Sequence, residues 1–151
     1  MKISFEVDGE VMGMPRPRST IVNGHVRVYE TKESSENKAY IRMAYRDALQ
    51  KAMPEVTTAA RDELGYAVTI VIRKACPKSF SKKKRKAALA GELRPTTKPD
   101  LDNVAKTILD ALNGVAWKDD SEITTLAITK RYSELSSASV LISWNDRRDD
   151  T

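Results

Sequence analysis

The first periodicity along the chain has a step of two. In ISFEV, residues 3–7, apolar and polar positions alternate, which predicts a strand with one buried face. The prolines of GMPRPRS interrupt it, since each removes a backbone donor and holds the preceding residue extended. STIVNGHVRVY resumes the β pattern as a hairpin, with β-branched residues flanking Asn23-Gly24, a dipeptide suited to a type I′ turn. From about Glu33 to Met53 the step becomes helical, with Ile41, Tyr45, Ala48 and Ala52 on one side, and Pro54 ends the helix. TTAARDE predicts a shorter helical turn.

YAVTIVIRKA reads as a buried strand ending at Cys76-Pro77, and SKKKRKAALAG as a short basic helix closed by Gly91. After the loop ELRPTTKP, the residues Leu101, Val104, Ala105, Ile108 and Leu112 form an apolar stripe at helical spacing, terminated by Asn113-Gly114. EITTLAITKRY and SASVLISWN are the last strands. Strands and helices mix without regular βαβ alternation, and neither a repeat nor a long linker divides the chain. The expectation is a single α+β domain, residues 1–145, with a mixed β-sheet packed against helices. The tail DRRDDT, 146–151, is expected to be flexible.

Composition narrows the chemistry. The 151 residues suffice for one domain with a real core. A single cysteine, Cys76, excludes an internal disulfide and a cysteine-based zinc site, and a single histidine, His25, excludes histidine-rich metal centres. Metal chemistry here would use carboxylate oxygens, which suit hard cations such as magnesium or manganese. No apolar run reaches membrane-spanning length and the start does not resemble a signal peptide, so a cytoplasmic protein without a membrane partner is expected.

The net charge of +5 is compatible with a polyanionic partner. Its distribution adds more, because Leu64–Gly91 carries Arg73, Lys74, Lys78 and the run Lys82–Lys86 without one acidic residue. Acids gather instead at Asp100, Asp102, Asp110, Asp119 and Asp120. A basic flank beside carboxylates suits a metal-dependent nuclease, cations holding the phosphodiester backbone and carboxylates the metal.

Asp100 and Asp102 stand two apart at the mouth of the apolar-striped helix. Inside a helix such a pair diverges by about 200°, whereas an extended segment puts both on one face. Pro99 disfavours helix at Lys98, which leaves Asp100 extended and Asp102 in the first turn. Lys106 and Asp110 follow at one-turn intervals beside the stripe, where all three can face a groove. Spacing leaves two readings open. In one, Asp100 caps the helix, Asp102 pairs with Lys106, and Asp119-Asp120 is a turn. In the other, the carboxylates share a cation.

The stretch KPDLDNVAKTILDALNGVAWKDDSEI, Lys98 to Ile123, resembles the core of the RusA family of Holliday junction resolvases, often encoded by phages and prophages. The resemblance rests on Asp100, Asp102 and Asn103, then Lys106, then Trp117 followed by Asp119 and Asp120. PRPRS, Asn23-Gly24 and the helix beyond resemble phage-type members more loosely. The resemblance implies that Asp100, Asp102 and Asp120 bind Mg2+, for which Mn2+ can substitute, and that Lys106 is needed for catalysis. Asp119 and Asn103 become supporting residues, Asn103 orienting a carboxylate or water. It also implies a homodimer, without a small-molecule cofactor, that resolves four-way DNA junctions by paired symmetric nicks in recombination and repair, leaving 5′-phosphate and 3′-hydroxyl ends. The family includes members with arginines just before the first aspartate, where this chain has Lys98 and Pro99, a departure that bears on substrate choice rather than on the metal centre.

Further candidates for phosphate contact are Arg16, Arg18, Lys82, Lys83, Lys84, Arg85, Lys86 and Lys98. Solvated helix faces and surface ion pairs are the competing roles. His25 is expected at the hairpin tip, and Trp117 and Trp144 in the core or a dimer interface. Two other functions compete: a nuclease for branched or flap DNA without junction preference, and a non-catalytic basic DNA-binding protein. The second makes poor use of carboxylates near phosphates.

Overall fold

The computed structural model of the chain describes residues 1–11, 18–54 and 65–145. The candidate Arg16, the helical turn expected in TTAARDE and the tail 146–151 lie outside them. Ten elements follow in order: β1 (Lys2–Asp8), β2 (Arg18–Val22), β3 (His25–Tyr29), α1 (Lys32–Ala52), β4 (Tyr66–Ala75), α2 (Lys82–Leu89), α3 (Leu101–Leu112), a 3-10 turn (Asp120–Glu122), β5 (Ile123–Ser133) and β6 (Ser137–Ser143). The expected α+β domain with a mixed sheet is what forms.

Four strands make the main sheet in the order β1-β6-β4-β5. β6 runs antiparallel to both β1 and β4, while β4 and β5 run parallel. Alternation explains which face is covered. Ile3, Phe5 and Val7 of β1, Val68, Ile70 and Ile72 of β4, and Ala138, Val140 and Ile142 of β6 are all buried. They meet Ile41, Tyr45 and Leu49 of α1 and Val104, Ile108 and Leu112 of α3 in one core. Burying each such side chain stabilises the fold by roughly 1.5–3 kcal/mol. The buried line of α1 runs Ile41, Tyr45, Leu49 at strict i, i+4 spacing, with Ala48 beside it. Ala52, expected on that line, is exposed in the last turn.

The hairpin forms as a separate two-stranded ribbon, with His25 opposite Val22 beside the turn. Asn23 and Gly24 have φ of 51° and 79°, the positive values that a type I′ turn needs. Ile21 and Val26 face each other across it and are 74% and 69% exposed, so the apolar side of the ribbon is uncovered among the described residues.

Trp117 and Trp144 are both buried and both lie against Tyr66, with ring centroids 5.8 and 6.2 Å away. They are core residues, and neither presents a face for base stacking. Gly65, just before β4, has φ +73°, and a Cβ there would collide with the Glu122 carbonyl and the Thr124 side chain. Glycine thus lets the start of β5 press against the start of β4.

Candidate active site

The site begins with the loop between α2 and α3. Pro95 and Pro99 lack backbone donors there, and the carbonyls before Asp100 are held by side chains from the sheet. Lys74 of β4 donates to Thr97 Oγ1 at 2.9 Å and to the Lys98 carbonyl at 2.7 Å. Lys130 of β5 donates to the carbonyls of Thr97 at 2.7 Å and Pro99 at 2.9 Å. Three successive carbonyls leading up to Asp100 are thus gripped from the sheet.

Asp100 occupies the N-cap position of α3 in an extended conformation, φ −73° and ψ 133°. Asp102 follows in the first helical turn. This is the extended-then-helical mouth expected from Pro99. The side-chain cap that the first of the two readings gave Asp100 does not form, because its side chain accepts no hydrogen bond from the helix. Lys98 takes the carboxylate instead, with Nζ 2.8 Å from Oδ2. That pair is solvated, and the Asp100 carboxylate raises the pKa of Lys98 above its ordinary value.

Asp102 and Lys106 are both exposed and form no ion pair with each other among the described residues, so the helical pair of the first reading is absent. Both remain open to a ligand in solution. Asp110 differs. It is half-buried and turned towards α1, where Lys38 Nζ stands 3.7 Å from Oδ2 and 2.8 Å from Glu30. Asp110 therefore braces two helices.

The far end of α3 is apolar and tightly closed. Trp117 Nε1 donates to Asn113 Oδ1 at 2.8 Å, and the Gly114 N–H donates to the Trp117 carbonyl at 2.7 Å. The chain then reaches Asp119, whose carboxylate accepts from Ser121 and is held below the usual carboxylate range by the side chain and backbone N–H of that serine. Asp120 opens the 3-10 turn and is exposed.

Asp120 precedes Ile123, which pairs with Tyr66 at the start of β4, whereas Asp100 lies by Lys74 and Lys130 towards the ends of β4 and β5. Seven residues of strand separate Ile123 from Lys130, about 23 Å, and α3 itself spans about 18 Å. The carboxylate pair and the later aspartate therefore stand at opposite ends of one helix. Accordingly, no three His, Cys, Asp or Glu side chains among the described residues are grouped to hold a metal. The donors themselves suit magnesium, being exposed carboxylate oxygens. Asp100 and Asp102 could supply two such oxygens from one chain, the rest of the shell coming from water, a phosphate or another carboxylate.

The basic run forms α2, capped by Ser81, whose side chain accepts from the Lys84 N–H. Lys82, Lys83, Lys84 and Lys86 are exposed and Arg85 is half-buried. Lys84 Nζ lies 4.5 Å above the Phe80 ring, and Phe80 packs edge-on against Tyr132 near the end of β5. α2 thus sits at the same end of the sheet as Asp100. Arg18 opens β2.

Sequence reasoning passed over Lys74 and Lys130. A signal existed for Lys130, which falls in phase with Ile128 on the inward side of β5, where a cation is out of place unless something receives it.

The family profile described as Endodeoxyribonuclease RusA matches residues 8–143. An uncharacterized protein of Bacillus subtilis (strain 168), YqaN, is 37% identical over 142 residues, covering 93% of this chain and 94% of that protein. No helix among the described residues is long and apolar enough to cross a membrane.

Proposed function

Because the chain belongs to the RusA family of endodeoxyribonucleases, we propose that it is a magnesium-dependent nuclease that resolves four-way DNA junctions as a homodimer. The observation that carries this reading is the mouth of α3. Two exposed carboxylates stand there on a clamped loop, at the end of the sheet that also bears the basic helix α2.

Asp100 and Asp102 of one copy would hold the cation together with Asp120 of a second copy. The separation along α3 supports this division, since one chain keeps the three carboxylates apart. A two-fold axis makes both sites alike and gives the paired cuts that a symmetric junction needs. A bound divalent cation supplies polarisation of the phosphodiester and activation of water as the nucleophile. Lys106, one turn beyond Asp102, stabilises charge that develops on the phosphate. Asn103 orients a carboxylate or the attacking water. Lys98 leaves Asp100 for a DNA phosphate, and Arg16, Arg18 and the residues Lys82–Lys86 hold the backbone without reading sequence.

The test offers a synthetic four-way junction, a matched duplex and a flap to the purified chain, with magnesium or with chelator. Paired nicks on the junction alone, lost with chelator, are expected. Asp100→Asn and Asp120→Asn should each lower the rate by about 10²–10³-fold, the scale of removing one group that stabilises a developing charge. Mixed together, the two inactive variants should regain nicking, because one site of each mixed dimer is intact. No recovery on mixing would overturn the shared site. Equal cutting of all three substrates would leave a nuclease without junction preference, and binding without cutting under every divalent ion would leave a DNA-binding protein.

A further inference from the structure

We propose that Lys74 and Lys130 are positioning residues of the metal site, acting on Asp100 through the loop before it. The inference rests on the nuclease reading above. Lys130 lies opposite Ile72 and Lys74 opposite Tyr132 in the parallel pair of β4 and β5, which brings their ammonium groups to one place on the helix-bearing face. Between them they meet the carbonyls of Thr97, Lys98 and Pro99 and the hydroxyl of Thr97, at 2.7–2.9 Å.

Three physical points give this grip a role beyond packing. First, hydrogen bonds from an ammonium group are roughly twice as strong as neutral ones, and they fall on three successive carbonyls immediately before Asp100. Second, neither lysine is paired with a carboxylate among the described residues, so the loop oxygens are the partners that receive each ammonium group. Third, two of the three donors of each ammonium group are spent on the loop, which leaves at most one for a phosphate. The main role of these lysines is therefore to set where the carboxylates sit. A displacement near 1 Å at a reacting centre costs on the order of 10²-fold in rate, which sets what such a grip can protect.

The experiment compares Lys130→Met, Lys74→Met and the double variant with Lys130→Arg. Lys130→Met should raise the magnesium concentration for half-maximal junction cleavage by about 10-fold, the scale seen when a partner of a metal ligand is removed. The rate should recover at saturating magnesium, and junction affinity in chelator should stay within about twofold, as expected if no phosphate contact is lost. Lys130→Arg should restore most of the magnesium affinity. Independently of activity, amide exchange over 97–103 should quicken in the methionine variants while that of β1 and β6 is unchanged. An unmoved magnesium midpoint overturns the proposal, as does a loss of junction affinity in chelator, which would make these lysines phosphate contacts. If the unaltered chain cuts no DNA with any divalent ion, the nuclease reading fails by itself. The exchange measurement then decides the clamp, and unchanged protection of 97–103 in the double variant overturns it.

Discussion

At its amino end α3 begins in a turn of prolines and lysines with two exposed carboxylates, whereas at its carboxyl end Leu112, Ala116 and Trp117 are at most 1% exposed. The first end is held by charged side chains reaching from the sheet, the second by packing and the bond between Trp117 and Asn113. The difference explains how a helix tolerates like charges at its mouth. Stability is concentrated where the helix is dry, and the wet end is left to bind ligands. Two aspartates near the amino terminus are also favoured by the helix dipole, by roughly 0.3–1 kcal/mol each.

The contrast breaks most visibly at the dry end. Trp117→Ala should destabilise the fold by about 3–5 kcal/mol, the range for emptying a large aromatic site. Thermal or urea unfolding would show it. Asn113→Ala leaves the buried indole N–H without its acceptor and should cost about 1–3 kcal/mol, read in the same way. At the wet end stability should barely move. Lys98→Met frees the Asp100 carboxylate and removes a cation, so manganese should bind a few-fold more tightly by calorimetry, while Tm is kept, as suits a solvated pair. The smallest effect concerns the brace between α1 and α3. Lys38 and Ser34 hold the Glu30 carboxyl below its ordinary pKa. Its stabilisation is therefore complete above the unfolded value and is lost as pH falls through the lowered folded value. Glu30→Gln should remove that part of the acid sensitivity in unfolding followed across pH 3–6, a window set by the usual carboxylate range.

Local patterns made much of this legible in the sequence. The alternation in β1, Asn23-Gly24 in the hairpin and the stripe of α3 each concern residues close along the chain, and each element forms where its pattern stands. Pro99 likewise announced the extended Asp100. What escaped depends on contacts between distant residues. Lys74 and Lys130 converge only because β4 and β5 pair in parallel across two intervening helices, and no short pattern encodes that register. Asp110 turns to Lys38 because α1 packs beside α3. Asp120 is near Asp102 in sequence but is carried to the opposite end of α3, since the helix spends those residues on length. The two readings of Asp100 could not be separated by spacing, and its side chain goes to Lys98 rather than to the helix, a competition that propensity alone does not describe.

The sheet order has a consequence for the order of events in a growing chain. β1 finds its ladder partner in β6, with Lys2 opposite Ser143, so the first strand made waits for the last. Pairings so remote along the chain fold slowly and leave an apolar strand unpaired meanwhile. β4 also lacks both neighbours until β5 and β6 have emerged, and the loop bearing Asp100 has nothing firm to rest on before then. The aspartate mouth is thus assembled late in synthesis, and a ribosome-bound fragment lacking β5 and β6 would carry the motif without the scaffold that shapes it.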